Sequence, residues 1–384
     1  MDCSTLLKQQ IQRYPQMEIR DVCKLLYQRN FGCGHLVTEE KQSLRRLQDE
    51  AKEYGQYLQQ NAEVKDSSRL MWSQQRIWTI VSGILDEGLS VETLNQIFCE
   101  SAKAGFPGDS LAELSSAEAA VRERVCLEQE LQEFLDLCQE GELPFSEKEA
   151  AEEIHRWRAA GFPAVSHSEA YRTAYHPAYR VAESRYLSYL PVFVEIDRKL
   201  QEKENTQRIT IAIDGPCAGG KTTLGELLER IYGCSLFHMD DFFLRPEQRT
   251  EARYKEPGGN VDYERFRAEV LDRLDDENGV TYQRYDCHLG QLHETVHVPR
   301  HRLNLVEGAY SQHPYFGDCY DIRFYLDAGL ELRLDRILKR NGPCMLERFK
   351  EQWIPMEEAY FQAFEIRKKS QVIFAVDIDK EKLI

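Results

Sequence analysis

The stretch DGPCAGGKTTL constrains this chain more than any other. Gly215-Pro216-Cys217-Ala218-Gly219-Gly220-Lys221-Thr222 meets G-x-x-x-x-G-K-[ST] at every fixed position. It lies between an apolar β-branched run, Arg208–Ile213, and a helical pattern from Gly220 to about Ile231. A strand feeding a Gly-rich turn into a helix points backbone N–H groups and the helix N-terminus at an anion. Residues 215 to 222, with Thr223, are therefore expected to cradle a nucleoside triphosphate, ATP. Lys221 would reach the outer phosphates, and the Thr222 hydroxyl would ligate Mg²⁺.

Around this loop, strand patterns alternate with helical ones. Further strands are expected at Ser235–Met239, Arg302–Val306, Ile322–Leu326 and Gln371–Val376, with helices at Tyr263–Leu274, Glu331–Lys339 and Leu346–Phe364. This alternation implies a five-stranded parallel sheet with helices on both faces. Residues 1–204 read differently, as helices at Cys3–Arg13, Asp21–Asn30, Glu39–Gln60, Leu70–Asp86, Val91–Ala104, Ala117–Glu140 and Ser146–Ala160. Ser166–Leu190 adds a helical piece, and Val192–Lys203 one more. Ser90 and Ser146 are expected N-caps, the second with Glu149 completing a capping box. The polar linker Glu202–Gln207 marks the boundary, giving an all-α domain over 1–204 and an α/β P-loop domain over 205–384.

Composition limits the partners. The chain of 384 residues carries 49 basic and 65 acidic side chains, a net charge of −16. An acidic surface opposes general binding to nucleic acid backbones. No apolar run reaches the roughly 18–20 residues of a membrane span, and the N-terminus lacks a secretory pattern. A soluble, cytoplasmic protein is expected, without nucleic acid or membrane partners. The eleven cysteines form no C-x-x-C pair, as reduced thiols would have it. Cys33 and His35 in FGCGH are too few ligands for zinc.

The reaction must come from residues beyond the loop. HMDDFF closes the second strand, so a carboxylate there would sit in the crevice at the strand ends and could accept a substrate hydroxyl proton. LVEG closes the third strand and brings Glu307 to the same crevice, suited to Mg²⁺. Arg333, Arg336 and Arg340 share a helix face and could close over a transferring phosphoryl group.

GPCAGGKTT, HMDDFF, PGGNVDYERF, LVEG and the Arg-bearing helix followed by EQWIPMEEAYFQAF occur in an order that resembles the uridine kinase and phosphoribulokinase group of P-loop kinases, which includes bacterial pantothenate kinase. The resemblance covers residues 208–377. It implies that Asp240 is the catalytic base, with Asp241 the second choice, and that Asp262 of Asn260-Val261-Asp262 holds substrate hydroxyls. It also implies a base pocket at Tyr285-Asp286-Cys287-His288, with Tyr285 and His288 on substrate, although this block departs in spacing and lacks the aromatic after the Asp. The arginine lid is reduced, since NGPC follows Arg340. Catalysis would rest on Asp240, Lys221, Arg336 and Arg340. Arg333 would contact substrate, and Mg²⁺ would be held by Thr222 and Glu307 with Asp240.

The expected reaction is ATP-dependent phosphorylation of a small-molecule hydroxyl, with a nucleoside such as uridine favoured over a pantothenate- or sugar-like acceptor. A nucleotide-sensing regulator without turnover is the reading from another class. The helical half resembles the N-terminal extension of bacterial uridine kinase-like proteins, which supplies no role; it could serve as a homo-oligomerisation module. Its segment His167–Tyr189, with Arg172, His176 and Arg180, reads either as packing tyrosines or as a polar pocket for an anion.

Overall fold

A computed structural model describes residues 2–32, 37, 39–60, 70–72, 76–80, 88–103, 116–175, 177, 179–183, 186 and 188–376. Cys33, His35, His176 and the 81–86 end of the expected helix Leu70–Asp86 lie outside the described residues. The chain divides into two compact units, residues 1–190 and Pro191–Lys382. Helix Leu190–Glu202 falls almost wholly in the second, where the Tyr232 hydroxyl donates to Asp197 (3.0 Å).

The first unit is mainly helical, with helices Cys3–Arg13, Ile19–Phe31, Glu40–Gln60, Val91–Lys103, Ser116–Gln139, Glu147–Ala159 and Glu169–Tyr175. Leu6, Leu7, Leu26, Leu131, Phe134 and Ile154 recur at helical spacing and meet in one buried core. Ser90 caps as expected, its Oγ accepting from Thr93 N (3.1 Å), whereas Ser146 makes no side-chain cap bond. One departure from helix is a three-stranded antiparallel sheet, β1 (Leu70–Trp72), β2 (Arg76–Ile80) and β3 (Tyr179–Glu183). Expected helix thus becomes strand at Leu70–Trp72, at Arg76–Ile80 and at Tyr179–Glu183. RIWTI is β-branched and aromatic at nearly every position, and Pro177 stops the preceding helix, so pairing between the two runs outweighs helical spacing.

A buried polar knot ties this unit together. Asp21, fully buried on helix Ile19–Phe31, accepts from Ser168 N (2.9 Å) and Oγ (2.6 Å), from Glu18 N (3.0 Å) and from His167 Nδ1 (2.8 Å). Burial by itself would raise Asp21; the hydrogen bonds from His167, Ser168 and Glu18 outweigh it and hold the carboxyl at about 2.

In the second unit β4 (Ile209–Asp214), β5 (Ser235–His238), β8 (Leu303–Glu307), β9 (Ile322–Ala328) and β10 (Val372–Val376) form a parallel sheet in the order β10-β9-β4-β8-β5. Every residue of β4 and β8 is buried, as central strands covered on both faces must be. The five expected strands are all present. The sequence reading missed an antiparallel hairpin, β6 (Val280–Asp286) and β7 (Gln291–Val298), with a bulge at Arg284/Tyr285. Its signal was the two-residue alternation of VTYQRY and QLHETVHV.

Because the folded Asp21 ionises below the ordinary value near 3.9, its contribution is complete above about pH 4 and is lost as pH falls towards 2. Over that window the native chain should lose on the order of 2 kcal/mol more stability than Asp21→Asn, measured by urea unfolding at each pH. Parallel curves for the two proteins would contradict the burden placed on this carboxylate.

Candidate functional site

The loop after β4 is shaped by backbone strain that its residues can bear. Gly215 has φ 141°, and a Cβ there would meet the Leu326 carbonyl oxygen at 2.4 Å. Ala218 (φ 56°) and Gly220 (φ 97°) turn left-handed before helix Lys221–Tyr232 begins. Such alternation folds successive N–H groups into a concave nest. Lys221 Nζ donates to the Pro216 carbonyl (2.9 Å), which keeps the ammonium against the loop.

Three side chains from later in the chain brace the loop from behind. Buried Glu357, on helix Ile354–Phe364, accepts from Cys217 N (2.9 Å). Arg333 Nε donates to the Cys217 carbonyl (3.0 Å), and Arg336 Nη1 donates to the Ala218 carbonyl (2.9 Å). Arg333 is buried and pairs with Glu357 (3.5 Å), so its guanidinium is spent on holding the loop. Arg340 is exposed and bonds Asn341 (2.9 Å); the helix Leu330–Arg348 kinks just beyond it, at Gly342. The three arginines therefore make three separate sets of contacts. Behind the loop, Asp214 is fully buried and accepts from Gly215 N, Gln312 N and the Tyr360 hydroxyl (2.7, 3.0 and 2.8 Å). Burial pushes this carboxyl up to about 6.

At the ends of β5 and β8 the acidic groups assemble. Glu307 Oε1 accepts from Thr222 Oγ1 (3.2 Å) and meets His238 Nδ1 (2.5 Å). This contact raises the His238 pKa, the hydrogen bond to Glu307 coming first among the causes. Gly308 (φ 135°) lets the chain after β8 touch the Met239 turn, since a Cβ would lie 2.7 Å from Met239 Cβ. Asp240 follows, its side chain open to the crevice yet crowded by protein. That crowding, and next the charge of Glu307, raise its carboxyl to about 6, while Lys221 pulls it down. Asp241 points elsewhere: it is buried and accepts from the Tyr282 hydroxyl (2.8 Å) and Arg284 Nε (2.7 Å), anchoring the hairpin.

Asp262 is buried at the N-cap of helix Tyr263–Glu269. Its Oδ1 accepts from Arg265 N (3.1 Å) and its Oδ2 from Gln248 Nε2 (2.8 Å). Tyr285 is also buried, and its hydroxyl accepts from Arg249 Nη2. His288 is exposed in the hairpin turn, where its N–H donates to Asp286 (2.7 Å). Burial first, and then the charge of Asp240, raises the thiol of the neighbouring Cys287.

The structure thus gathers Lys221, Thr222, Glu307 and Asp240 at one place, with Arg336 against the loop. Thr222, Glu307 and Asp240 are hard oxygen donors of the kind Mg²⁺ takes alongside phosphate and water. Among the described residues no group of three or more His, Cys, Asp or Glu is placed to hold a metal ion. Sequence reasoning missed His238, Gln248, Arg249, Arg284 and Glu357. Of these only His238 had a signal, its place directly before the Met-Asp pair at a strand end.

No family model and no curated protein matches the chain. Solved structures with similar coordinates include a possible uridine kinase from Bacillus stearothermophilus, at 20% identity over 46% of this chain and 94% of that one, with a TM-score of 0.37. D-glycerate 3-kinase from Cryptococcus neoformans aligns at 15% identity over 46% and 87%, with a TM-score of 0.36. Deoxyadenosine kinase from M. mycoides aligns at 15% identity over 46% and 95%, with a TM-score of 0.23. Among the described residues no helix is long and apolar enough to cross a membrane.

Replacing Gly215 by Ala should abolish nucleotide binding, because the new Cβ must displace the Leu326 carbonyl and the start of the loop with it. Calorimetric titration with ATP against the native chain measures this. Binding within about threefold of native would show that the loop tolerates the shift.

Proposed function

We propose that the second unit is an ATP- and Mg²⁺-dependent kinase that phosphorylates a hydroxyl of a small metabolite, with a nucleoside the favoured acceptor. The observation that carries this reading is the position of Asp240: an open carboxylate, raised to about 6, beside the phosphate loop and Glu307. A carboxylate with that basicity can take a hydroxyl proton as the oxygen attacks a phosphoryl group. Asp241, bound by Tyr282 and Arg284, is poorly placed for the same role.

The roles of the other residues follow from their geometry. The left-handed turns at Ala218 and Gly220 aim N–H donors at the phosphates, and Lys221 needs only to leave the Pro216 carbonyl to add its charge. Thr222 and Glu307 would hold Mg²⁺, which when bound supplies charge neutralisation between the outer phosphates. His238 fixes the Glu307 carboxylate at Oε1, the oxygen that also accepts from Thr222. Arg336 would hold the Ala218 carbonyl and, released from it, could add charge at the phosphates. Arg333 holds the loop in shape, so its contribution to substrate would be indirect. The acceptor would lie over Asp240, between the Asp262–Gln248 pair and the hairpin tip with Tyr285 and His288. That crevice presents mainly polar donors and acceptors, which favours a polyhydroxylated substrate such as a nucleoside.

Asp240→Asn should cut the turnover by about 10²- to 10⁴-fold while ATP affinity stays within about twofold. Mass detection of phosphorylated products over a panel of nucleosides and small hydroxyl acids, with calorimetry for ATP, checks both. Normal turnover in this variant would remove Asp240 as base. Product from a hydroxyl acid but from no nucleoside would keep the kinase and overturn the acceptor.

A further inference from the structure

The kinase reading gives no role to Arg265, which lies in helix Tyr263–Glu269, just after Asp262. Its side chain is only 9% exposed, so it is not one of the solvated cations of a helix surface. Its Nη2 donates to the Asp241 carbonyl (2.8 Å) and its Nη1 to the Gln283 carbonyl (2.7 Å). Nη1 also reaches Glu269 Oε2 (3.2 Å). The first carbonyl belongs to the Met239–Phe242 turn, next to Asp240, and the second to β6 of the hairpin. The Arg265 main-chain N–H meanwhile donates to Asp262 Oδ1 (3.1 Å). One residue therefore joins the turn that carries Asp240, the hairpin, and the segment that carries Asp262.

The seat of this guanidinium is well defined. Its central carbon lies 4.1 Å from the centroid of the Phe242 ring. Phe242 is itself fully buried and packs on Phe266 and Tyr282, with centroids 4.9 and 5.0 Å away. The Phe242 carbonyl accepts from Asp262 N (2.7 Å), which ties the same turn to the same segment a second time. Arg265 Nε is buried without a hydrogen-bond partner, 3.8 Å from Asp262 Oδ2. A guanidinium placed for ion pairing would close that gap. This one leaves it open and keeps both ends of its fork on main-chain carbonyls. An apolar side chain could fill the space without burying a charge, but it could not hold two carbonyls of separate segments at a fixed spacing. Asp241 is thus held twice, at its carboxylate by Tyr282 and Arg284 and at its carbonyl by Arg265. With that neighbour pinned at both ends, Asp240 keeps little freedom beyond its own side-chain torsions.

We propose that Arg265 is a positioning residue of phosphoryl transfer: it fixes the Asp240 turn against the hairpin and the Asp262 segment, and so sets the base in register with the acceptor. The inference rests on the reading of Asp240 as the base. A displacement of about 1 Å at a reacting group can cost on the order of 10²-fold in rate. ATP would bind as before, since none of the Arg265 partners named above belongs to the phosphate loop. Lysine at this position keeps the charge but has no planar fork with which to span the two carbonyls.

The test compares Arg265→Lys and Arg265→Met with the native full chain, using ATP, Mg²⁺ and uridine as probe. Both variants should lose about tenfold or more in kcat, while ATP affinity by calorimetry stays within about twofold of native. A role in stability alone would lower the melting temperature and leave the kcat of the folded protein unchanged. Arg265→Lys keeps the test open should Arg265→Met fail to fold. Native kcat in Arg265→Lys, or ATP affinity falling together with kcat, would overturn the proposal. If the native chain leaves uridine unphosphorylated, the acceptor reading fails separately and hydrogen exchange decides the role of Arg265. Exchange in Arg265→Lys should then quicken across Met239–Phe242 and Val280–Asp286 and stay native across Lys221–Tyr232. Equal exchange in all three segments would overturn the proposal.

Discussion

The phosphate loop can receive an anion only if its N–H groups point inward, and that conformation is held from outside the loop. The Leu326 carbonyl closes over Gly215, Glu357 takes the Cys217 N–H, and Arg333 and Arg336 take the carbonyls of Cys217 and Ala218. These supports come from β9, the helix after it and helix Ile354–Phe364, more than a hundred residues downstream. The loop is thus a product of the finished sheet. A change at Glu357 or Arg333 would alter the loop from a distance, through the Cys217 N–H and carbonyl.

The same dependence explains how roles divide among similar side chains. Asp214, Asp240 and Asp241 all lie at or just beyond strand ends of one sheet, yet the first is buried behind the loop, the second is exposed and the third ties down a hairpin. Burial raises the first two to about 6, by different routes: Asp214 through complete enclosure, Asp240 through crowding and the charge of Glu307. The three arginines divide likewise into a buried brace, a half-buried carbonyl donor and an exposed end.

The first unit shows a comparable economy with one carboxylate. Asp21 gathers donors from its own helix turn and from the Ser168 cap, and so joins segments almost 150 residues apart in sequence. Antiparallel pairing of β2 with β3 closes a separation of about 100 residues. Both long-range links fall where helical periodicity alone was a poor guide.

Much of the second unit was legible in the sequence. Strand and helix types follow from β-branched runs and helical spacing, and the loop motif follows from glycines whose φ values no other residue reaches cheaply. The carboxylates at strand ends were legible too, because a parallel sheet delivers its strand ends to one edge. The strands of the first unit and the β6/β7 hairpin were less so, since pairing energy belongs to two segments and neither shows it alone. Sequence by itself determined the alternation of strands and helices around the five-stranded sheet and the chemistry available at the crevice. Only tertiary structure decided which Asp stays open, and that Arg333 and Glu357 serve the loop. Burial and proximity set charge and hydrogen bonding, and neither exists until the chain has folded.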